Sequence, residues 1–215
     1  MKAFVYFIFG IFSISFCIED VYGQIENYEL LIKISKRKAK SVLNDIAFIN
    51  NYGDTIIPFN KYQYAFPDTI REIGFVSDLG EWKAIDNSGM ELFNVFINSE
   101  GPDMAFEGLF RILDSEGKFG FANMKGQIII NTQFDYVTRF HEGYASFYVN
   151  CKVDSFERRT SIDPSKKIKV GLIDKTGRVI VTPIYDYISF FKNGKARVSI
   201  NNKKFYIDNT GKVIN

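Results

Sequence analysis

The sequence has few of the residues on which most enzyme and metal sites depend. Its 215 residues include one histidine, His141, one tryptophan and two cysteines. Two cysteines exclude a thiolate zinc cluster, and one histidine makes a histidine-based metal site or a nucleophile–base–acid set hard to assemble. The remaining catalytic option is a pair of carboxylates about 5 to 9 Å apart. Most Asp and Glu residues lie in predicted turns, so we predict a non-enzymatic protein with no catalytic residues, cofactor or metal.

A charge excess of one sign is also missing. Lys and Arg number 27 and Asp and Glu number 25, which gives a net charge of +2. This value is too small for a nucleic-acid-binding footprint, so we expect no nucleic-acid partner. Aromatic residues are abundant instead, with 22 Phe and 12 Tyr, and such side chains favour β-strands.

The first residues are typical of an export signal. Lys2 precedes an almost wholly apolar stretch at residues 3–18, and Val21-Tyr22-Gly23 fits a signal-peptidase site. We predict a signal peptide at 1–23 and export of residues 24–215. Two alternatives are a retained membrane anchor, although the apolar run is shorter than the roughly 20 residues of a span, and lipid attachment at Cys17, although Phe16 stands where a small residue is expected. After leader cleavage we expect no membrane span, and Cys151 remains as an unpaired thiol.

One short motif recurs along the chain, ending each time in a glycine. An apolar residue is followed by Asp or Asn, two variable residues and the glycine, and the five glycines are Gly53, Gly89, Gly126, Gly177 and Gly211. Asp or Asn can bond backbone amides two residues on, and glycine accepts positive φ, so each motif predicts a β-turn. Successive glycines are 36, 37, 51 and 34 residues apart. The long interval predicts an insertion at about 151–168.

The segments around each turn alternate as strands do. A short apolar strand precedes the turn and another follows it, and a third strand follows a second glycine, as at Gly194-Lys195-Ala196. The sequence therefore predicts an all-β fold of about five degenerate three-stranded antiparallel repeats. Both an open curved stack, which we favour, and a closed propeller-like ring would bury the faces that a single unit leaves exposed.

The combined pattern resembles the WG-repeat family of bacterial exported proteins. It consists of Gly-x-Ile-Asp-x-x-Gly, β-branched residues, proline, an aromatic residue with Asp, and Phe-x-x-Gly-x-Ala-x-Val, and it is clearest at 119–149 and 170–200. Weaker copies lie at 46–76 and 82–112, with a half-copy at 204–214. The Trp-Gly pair of the family is replaced here, for example by Phe119-Gly120 and Val170-Gly171. The resemblance implies a binding or scaffolding role.

Three features could carry function. Asp174-Lys175-Thr176-Gly177 matches the phosphorylated motif of cation-pumping ATPases, but the same position reads Asp-Asn-Ser-Gly and Asp-Asn-Thr-Gly in other copies, which indicates a turn. The charged insertion, which includes Glu157, is either a functional loop or a tolerated surface excursion. Exposed aromatics, including Tyr148 and Tyr206, could form a strip for sugar or peptide, or could be cross-strand pairs.

The predicted function is therefore that of an exported, non-catalytic module for protein–protein interaction or scaffolding. The alternative is a module that binds carbohydrate or the cell envelope. The predicted partner is a protein, with a glycan or an envelope surface as the alternative, and its identity and the binding residues are not readable from the sequence.

Overall fold

The computed structural model describes residues 29–37, 44–78 and 80–214. The predicted signal peptide and Cys17 lie outside the described residues. All regular elements of the described residues are β-strands, and every strand pair is antiparallel. None of these residues forms a helix of the length and apolarity that crossing a membrane requires. The predicted all-β repeat architecture is confirmed.

The strands group into five successive units. The first unit contains β1 (Leu31–Arg37), β2 (Asn44–Ile49) and β3 (Thr55–Ile57). The second contains β4 (Tyr64–Phe66), β6 (Ile73–Asp78), β7 (Glu81–Asp86) and β8 (Glu91–Val95). Strand β5 (Thr69–Ile70) follows β4 in the chain but pairs with β1 of the first unit. The third contains β9 (Ile97–Asn98), β10 (Gly101–Pro102), β11 (Leu109–Leu113), β12 (Phe119–Asn123) and β13 (Ile128–Phe134).

The fourth unit carries the insertion. Its strands are β14 (Tyr136–Val137), β15 (Tyr144–Val149), β16 (Cys151–Val153), β17 (Arg159–Ser161), β18 (Lys169–Asp174) and β19 (Val179–Tyr185). Strands β16 and β17 form a hairpin of their own within the predicted insertion. The fifth unit contains β20 (Tyr187–Ile188), β21 (Lys195–Ile200), β22 (Lys203–Asp208) and β23 (Val213–Ile214).

The sheets are meanders that remain open. Their strand orders are β3-β2-β1-β5, β13-β12-β11-β8-β7-β6-β4, β14-β15-β18-β19 and β20-β21-β22-β23, with the two-stranded pairs β10-β9 and β16-β17. Units one, two, four and five have a short additional strand (β5, β4, β14 and β20) beside the three predicted ones. In the fourth and fifth units this strand begins two residues after the end of the long strand of the preceding unit, as β14 follows β13. The chain therefore passes from one sheet to the next at this point.

A single turn design recurs in all five units. After β18, Asp174 Oδ1 accepts hydrogen bonds from the N–H groups of Thr176 (3.0 Å) and Arg178 (3.1 Å), and Gly177 N–H donates to the Asp174 carbonyl (2.9 Å). The same bonds form in the turns that begin at Asn50, Asp86, Asn123 and Asp208. Gly53, Gly89, Gly126, Gly177 and Gly211 close these turns with φ between +76° and +88°.

The turns also join neighbouring units. A β-carbon at Gly177 would lie 3.1 Å from Ile130 Cγ2 of the third unit, and one at Gly211 would lie 2.8 Å from Val181 Cγ2 of the fourth. Gly89 and Gly126 likewise approach side chains of the unit before them, whereas a β-carbon at Gly53 would meet nothing within 4 Å. Each turn after the first is therefore packed against the preceding unit.

The buried hydrophobic clusters also connect each unit to the next one along the chain. One buried cluster joins the first two units, a second joins the second and third, and a third joins the third, fourth and fifth. Representative members are Phe48 and Val76, Phe75 and Phe110, and Phe121, Phe147 and Val198, respectively. Among the described residues, neither a strand pair nor a buried cluster joins the first unit to the fifth.

Candidate functional site

The acid of the ATPase-like motif is fully occupied within its turn. Asp174 Oδ1 accepts the two backbone N–H groups and the Thr176 hydroxyl (2.6 Å), and Asp174 Oδ2 accepts Arg178 Nε (3.0 Å). Backbone and side-chain hydrogen bonds from Thr176 and Arg178 outweigh burial and lower the pKa of Asp174. Asp208 binds Thr210 in the same way in the fifth unit. The carboxylate therefore serves the turn in both copies.

His141 and Cys151 lie in different settings. The His141 ring packs against Phe190 at a tilt of 34°, with 4.9 Å between ring centroids, in the loop before β15. Cys151 is buried at the start of β16 and forms no disulfide with another described residue. Burial raises the pKa of its thiol to about 11, so the thiol is protonated at neutral pH. No group of three or more potential metal ligands occurs in the described part of the chain.

The two tyrosines predicted to be exposed differ. Tyr206 is 49% exposed on β22, as expected. Tyr148 is only 8% exposed, so its predicted exposure was wrong, whereas the alternative of a cross-strand pair is confirmed by its pairing with Tyr136. Its ring packs against Tyr136 at 5.4 Å between centroids, and its hydroxyl accepts a hydrogen bond from Arg159 of the insertion. The insertion covers a position that strand alternation alone would leave open.

A buried arginine is the largest feature that the sequence did not reveal. Arg111 on β11 is fully buried, and its partner Asp103 is fully buried as well. Arg111 Nε donates to Asp103 Oδ2 (3.0 Å) and Nη2 donates to Asp103 Oδ1 (2.8 Å). Nη1 and Nη2 also donate to the two carboxylate oxygens of Glu157, at 3.1 and 2.9 Å. Both carboxylates bind the guanidinium in a bidentate manner, which is the strongest form of this interaction.

Aromatic and polar neighbours complete this centre. The Arg111 guanidinium lies over the Phe96 ring, 4.5 Å from its centroid. The Tyr136 hydroxyl donates to Glu157, and Arg139 Nε donates to Asp103 Oδ1 (3.0 Å). The centre therefore connects the β10–β11 connection, β11, β14 and the insertion hairpin by satisfied hydrogen bonds.

The pKa shifts agree with this geometry. Burial alone would lower the pKa of Arg111, but hydrogen bonds to Asp103 and Glu157 outweigh burial and raise it. Burial would raise the pKa of Glu157, but hydrogen bonds from Arg111 and Tyr136 lower it. Burial and the hydrogen bond to Glu157 raise the pKa of Tyr136. Arg111 and Glu157 therefore form a charged pair at neutral pH.

The insertion reaches Arg111 by means of the recurrent turn. Asp154 Oδ1 accepts the N–H groups of Phe156 (2.9 Å) and Arg158 (3.0 Å), as the Asp or Asn that begins the turn does in each of the five units. Glu157 occupies the position of the turn glycine with φ +57°. A non-glycine residue there is strained, and its side chain is the one that pairs with Arg111. The motif Asp154-Ser155-Phe156-Glu157 lacks the glycine by which the other turns are recognised in the sequence.

The outer face of the fifth unit contains a solvent-accessible groove of 570 Å³. Exposed aromatic side chains and three cations line it, and none of the described lining residues is acidic. The lining is Ser189, Phe190, Lys192, Asn193, Lys195, Arg197, Tyr206 and Ile214. Arg197 and Tyr206 are direct cross-strand partners, and the Arg197 guanidinium lies 5.6 Å from the centroid of the exposed Tyr187 ring. We call this surface the last-unit groove.

The cavity beside β7, unlike the last-unit groove, has no excess of positive charge. Its volume is 350 Å³, and its cations are matched by acids. Glu91 accepts hydrogen bonds from the Tyr62 hydroxyl (2.6 Å) and from Lys83 Nζ (2.7 Å), and Lys61 Nζ lies 3.7 Å from the same carboxylate. Within the described residues, Lys192, Lys195 and Arg197 of the last-unit groove form no ion pair.

Comparison with known proteins gives a family and no activity. The family described as WG containing repeat matches residues 119–151 and 171–203. No curated protein matches the chain. A crystal structure of a protein of unknown function from Bacteroides caccae is similar at 13% sequence identity, covering 86% of this chain and 92% of that chain, with a TM-score of 0.21.

The matched segments coincide with the best copies of the sequence pattern. Residues 119–151 begin at β12 and end at the start of the insertion, and residues 171–203 run from β18 to the start of β22. Each includes the turn, the long strand after it and the third strand of the next unit. Two segments of the chain therefore match the model of the WG containing repeat family, as the sequence pattern predicted.

Proposed function

We propose that the protein is an exported, non-catalytic module that binds another protein through the last-unit groove. The observation that carries this proposal is the exposed row of Tyr187, Arg197 and Tyr206 on a sheet face. Tyrosine and arginine are the side chains most enriched at the energetic centres of protein interfaces. The leader-like residues 1–23 support export.

Site-specific photo-crosslinking tests the interaction. A photoreactive residue placed at Tyr206 in the full chain, expressed in its native cells, should form an adduct with one protein partner. The same residue placed at Tyr52, which is exposed in the turn of the first unit, is the matched control. The adduct should disappear when Arg197→Glu is added. Equal adducts from both positions, or no adduct from any residue of the last-unit groove, would contradict a specific protein contact there.

Export has an independent test. Mass spectrometry of the protein recovered outside the cytoplasm should find an N-terminus at Gln24. A cytoplasmic protein that begins at Met1 would contradict export and leave the binding proposal to be judged on the crosslinks.

A carbohydrate-binding role is the second candidate, supported by the exposed Tyr206 and Phe190 rings beside cations. Aromatic faces stack on sugars, and cations attract acidic groups. A glycan array probed with the mature protein separates the two roles. Binding to specific sugars that is lost in Tyr206→Ala would favour the carbohydrate role, and an inert array together with a crosslinked protein would favour the interaction role.

A further inference from the structure

Arg197 occupies the same place in the fifth unit as Arg111 does in the third. Leu109 pairs with the turn residue Asn123, and Lys195 pairs with the turn residue Asp208. Arg111 and Arg197 follow two residues later, so each lies at the same register position of its sheet. Each is also directly opposite an aromatic residue, Phe121 and Tyr206 respectively. The two arginines therefore project from equivalent sites in equivalent units.

The surroundings of Arg111 show which groups such an arginine binds in this fold. Two protein carboxylates, from Asp103 and Glu157, bind it in a bidentate manner, and the Phe96 ring stacks on the guanidinium. Neither carboxylate comes from β11 itself. One comes from the preceding connection and the other from the insertion hairpin, which lies against this face of the sheet.

Arg197 has the aromatic neighbours but not the carboxylates. Its guanidinium lies near Tyr187, and Tyr206 is opposite it, yet the lining of the last-unit groove contains no acidic residue from the described part of the chain. Two lysines, Lys192 and Lys195, add positive charge where the third unit has Phe106 and Leu109. The face thus combines uncompensated charge with exposed aromatic surface. If this face served only to keep the end of the array in contact with water, charged side chains would suffice. The exposed Phe190, Tyr187 and Tyr206 rings would not be needed.

We propose that the last-unit groove binds an acidic segment of a partner protein, in which Asp or Glu residues alternate with aromatic or aliphatic ones. This inference rests on the protein-interaction function proposed above. A carboxylate of the segment binds Arg197 as Asp103 binds Arg111, and a second carboxylate approaches Lys195 and Lys192. The apolar residues of the segment cover Phe190 and Tyr206. A protein segment is favoured over an acidic glycan because the equivalent arginine of this chain, Arg111, binds the carboxylates of protein side chains.

A peptide titration followed by NMR tests this inference, since it detects weak binding. The probe is a synthetic peptide of alternating acidic and phenylalanine residues, and its counterpart carries Asn and Gln in place of Asp and Glu. Binding of the acidic peptide to the mature protein should shift the Arg197 and Tyr206 signals. Its Kd should be at least about tenfold lower than that of the amide peptide, because charge-assisted bonds to arginine are lost in the latter.

Three variants define the site. Arg197→Ala should weaken the acidic peptide about tenfold, and Arg197→Lys should recover only part of the loss because lysine lacks the planar fork. Arg71→Ala, which removes the same charge from an exposed position in the second unit, should leave the Kd unchanged. The two-dimensional spectrum of each variant shows whether the fold is intact, so that a loss of binding is not mistaken for unfolding.

The remaining outcomes overturn the inference. Equal affinity for the acidic and amide peptides, or equal effects of Arg197→Ala and Arg71→Ala, would show that Arg197 does not recognise carboxylates. Arg197-dependent binding of polygalacturonate without peptide binding would assign the groove to an acidic glycan. If the peptide fails while crosslinking at Tyr206 still captures a protein, the acidic-segment inference falls and the interaction function stands.

Discussion

A comparison of the turn glycines Gly177 and Gly53 distinguishes the effect of backbone strain from the effect of packing between units. Both have positive φ, +84° and +88°, but only a β-carbon at Gly177 would meet a neighbouring unit, at Ile130. Alanine at positive φ destabilises a fold by about 1 kcal/mol. We expect Gly53→Ala to show roughly this loss, and Gly177→Ala to lose up to about 1 kcal/mol more through crowding against Ile130. Urea denaturation of both variants measures the difference.

Two results would contradict this expectation. An unchanged unfolding midpoint for Gly177→Ala would mean that the turn does not require the left-handed backbone. Equal losses in the two variants would mean that Ile130 moves aside and that the turn does not contribute to packing between the units.

Glu157 combines a strained backbone with a buried ion pair, and its removal should be destabilising. Glu157→Gln keeps the shape of the side chain but removes the charge facing Arg111, whose side chain is fully buried. Loss of one partner of a buried pair costs about 3 to 5 kcal/mol. Because the Glu157 side chain is 34% exposed, solvent screening reduces the expected loss to about 1 to 3 kcal/mol. Urea denaturation at neutral pH measures this loss.

The same pair predicts a dependence on pH. Hydrogen bonds from Arg111 and Tyr136 lower the folded-state pKa of Glu157 below its unfolded value, so the folded protein binds this proton less tightly than the unfolded chain does. The stabilisation is therefore complete above the unfolded pKa of about 4.3 and is lost as the pH falls through the folded pKa. The stability difference between wild type and Glu157→Gln should shrink on acidification. Exposed Glu116→Gln is the control, and a difference that stays constant with pH would contradict the role of the Glu157 charge.

Residue-scale prediction from the sequence succeeded where the partners are local. The Asp174 turn is formed by bonds that reach two and four residues along the chain, so its residues carry the signal. Arg111 has partners 8, 25 and 46 residues away, and nothing near it in the sequence marks it as buried. Tyr148 was misjudged for the same reason, because the insertion that covers it comes from a separate hairpin.

At the scale of elements, two glycines lie where one strand approaches its neighbour very closely. They are Gly120, where β12 meets β13, and Gly171, where β18 meets β19. A β-carbon at Gly171 would lie 2.4 Å from the Val181 carbonyl oxygen, and one at Gly120 would lie 2.5 Å from the Ile130 carbonyl oxygen. In both units the register shifts at this point, which marks a β-bulge. In both matched segments, backbone therefore occupies the space that a side chain at Gly120 or Gly171 would need.

This close approach predicts a large and local effect. Gly171→Ala forces the β-carbon into the backbone of β19 and into the Phe147 ring, so we expect a loss of about 3 kcal/mol or more. Lys83 has the equivalent position in the second unit, three residues before the turn acid. Lys83→Ala removes only a surface ion pair with Glu91 and should cost under about 1 kcal/mol. Thermal denaturation measures the unfolding midpoints of Gly171→Ala and Lys83→Ala. Similar midpoints would show that β19 moves aside at little cost in stability.

The element pattern was the part of the fold most accessible from sequence. Alternation and turn chemistry predicted the hairpins and the insertion because both act over a few residues. The short strands β14 and β20 were missed, since two residues such as Tyr136–Val137 are too few for a period of two to be visible. The last-unit groove was missed because its lining comes from three strands and the β20–β21 connection, and only Tyr206 was singled out as an exposed aromatic.

At the scale of the whole molecule, stability should be unequal along the array. In stacked repeats each unit is stabilised mainly by its immediate neighbours. The third, fourth and fifth units share one continuous buried cluster, whereas the first unit is connected to the second by a separate, smaller cluster. A β-carbon at its turn glycine, Gly53, would meet nothing within 4 Å. The first unit should therefore open more readily than the fourth, whose strands β15 and β18 each bury four consecutive residues.

Hydrogen exchange followed by mass spectrometry measures this order directly. Amides of β12, β15 and β18 should exchange slowest, and those of β2 and β3 should exchange faster, through local opening that leaves the later units folded. Gly177→Ala should then accelerate exchange in the fourth unit and in the adjoining β13, while β2 changes little, because coupling decays with each intervening interface. Uniform protection across all five units, or equal acceleration everywhere in Gly177→Ala, would mean that the array unfolds as one cooperative block and that the separate buried clusters do not act as separate units.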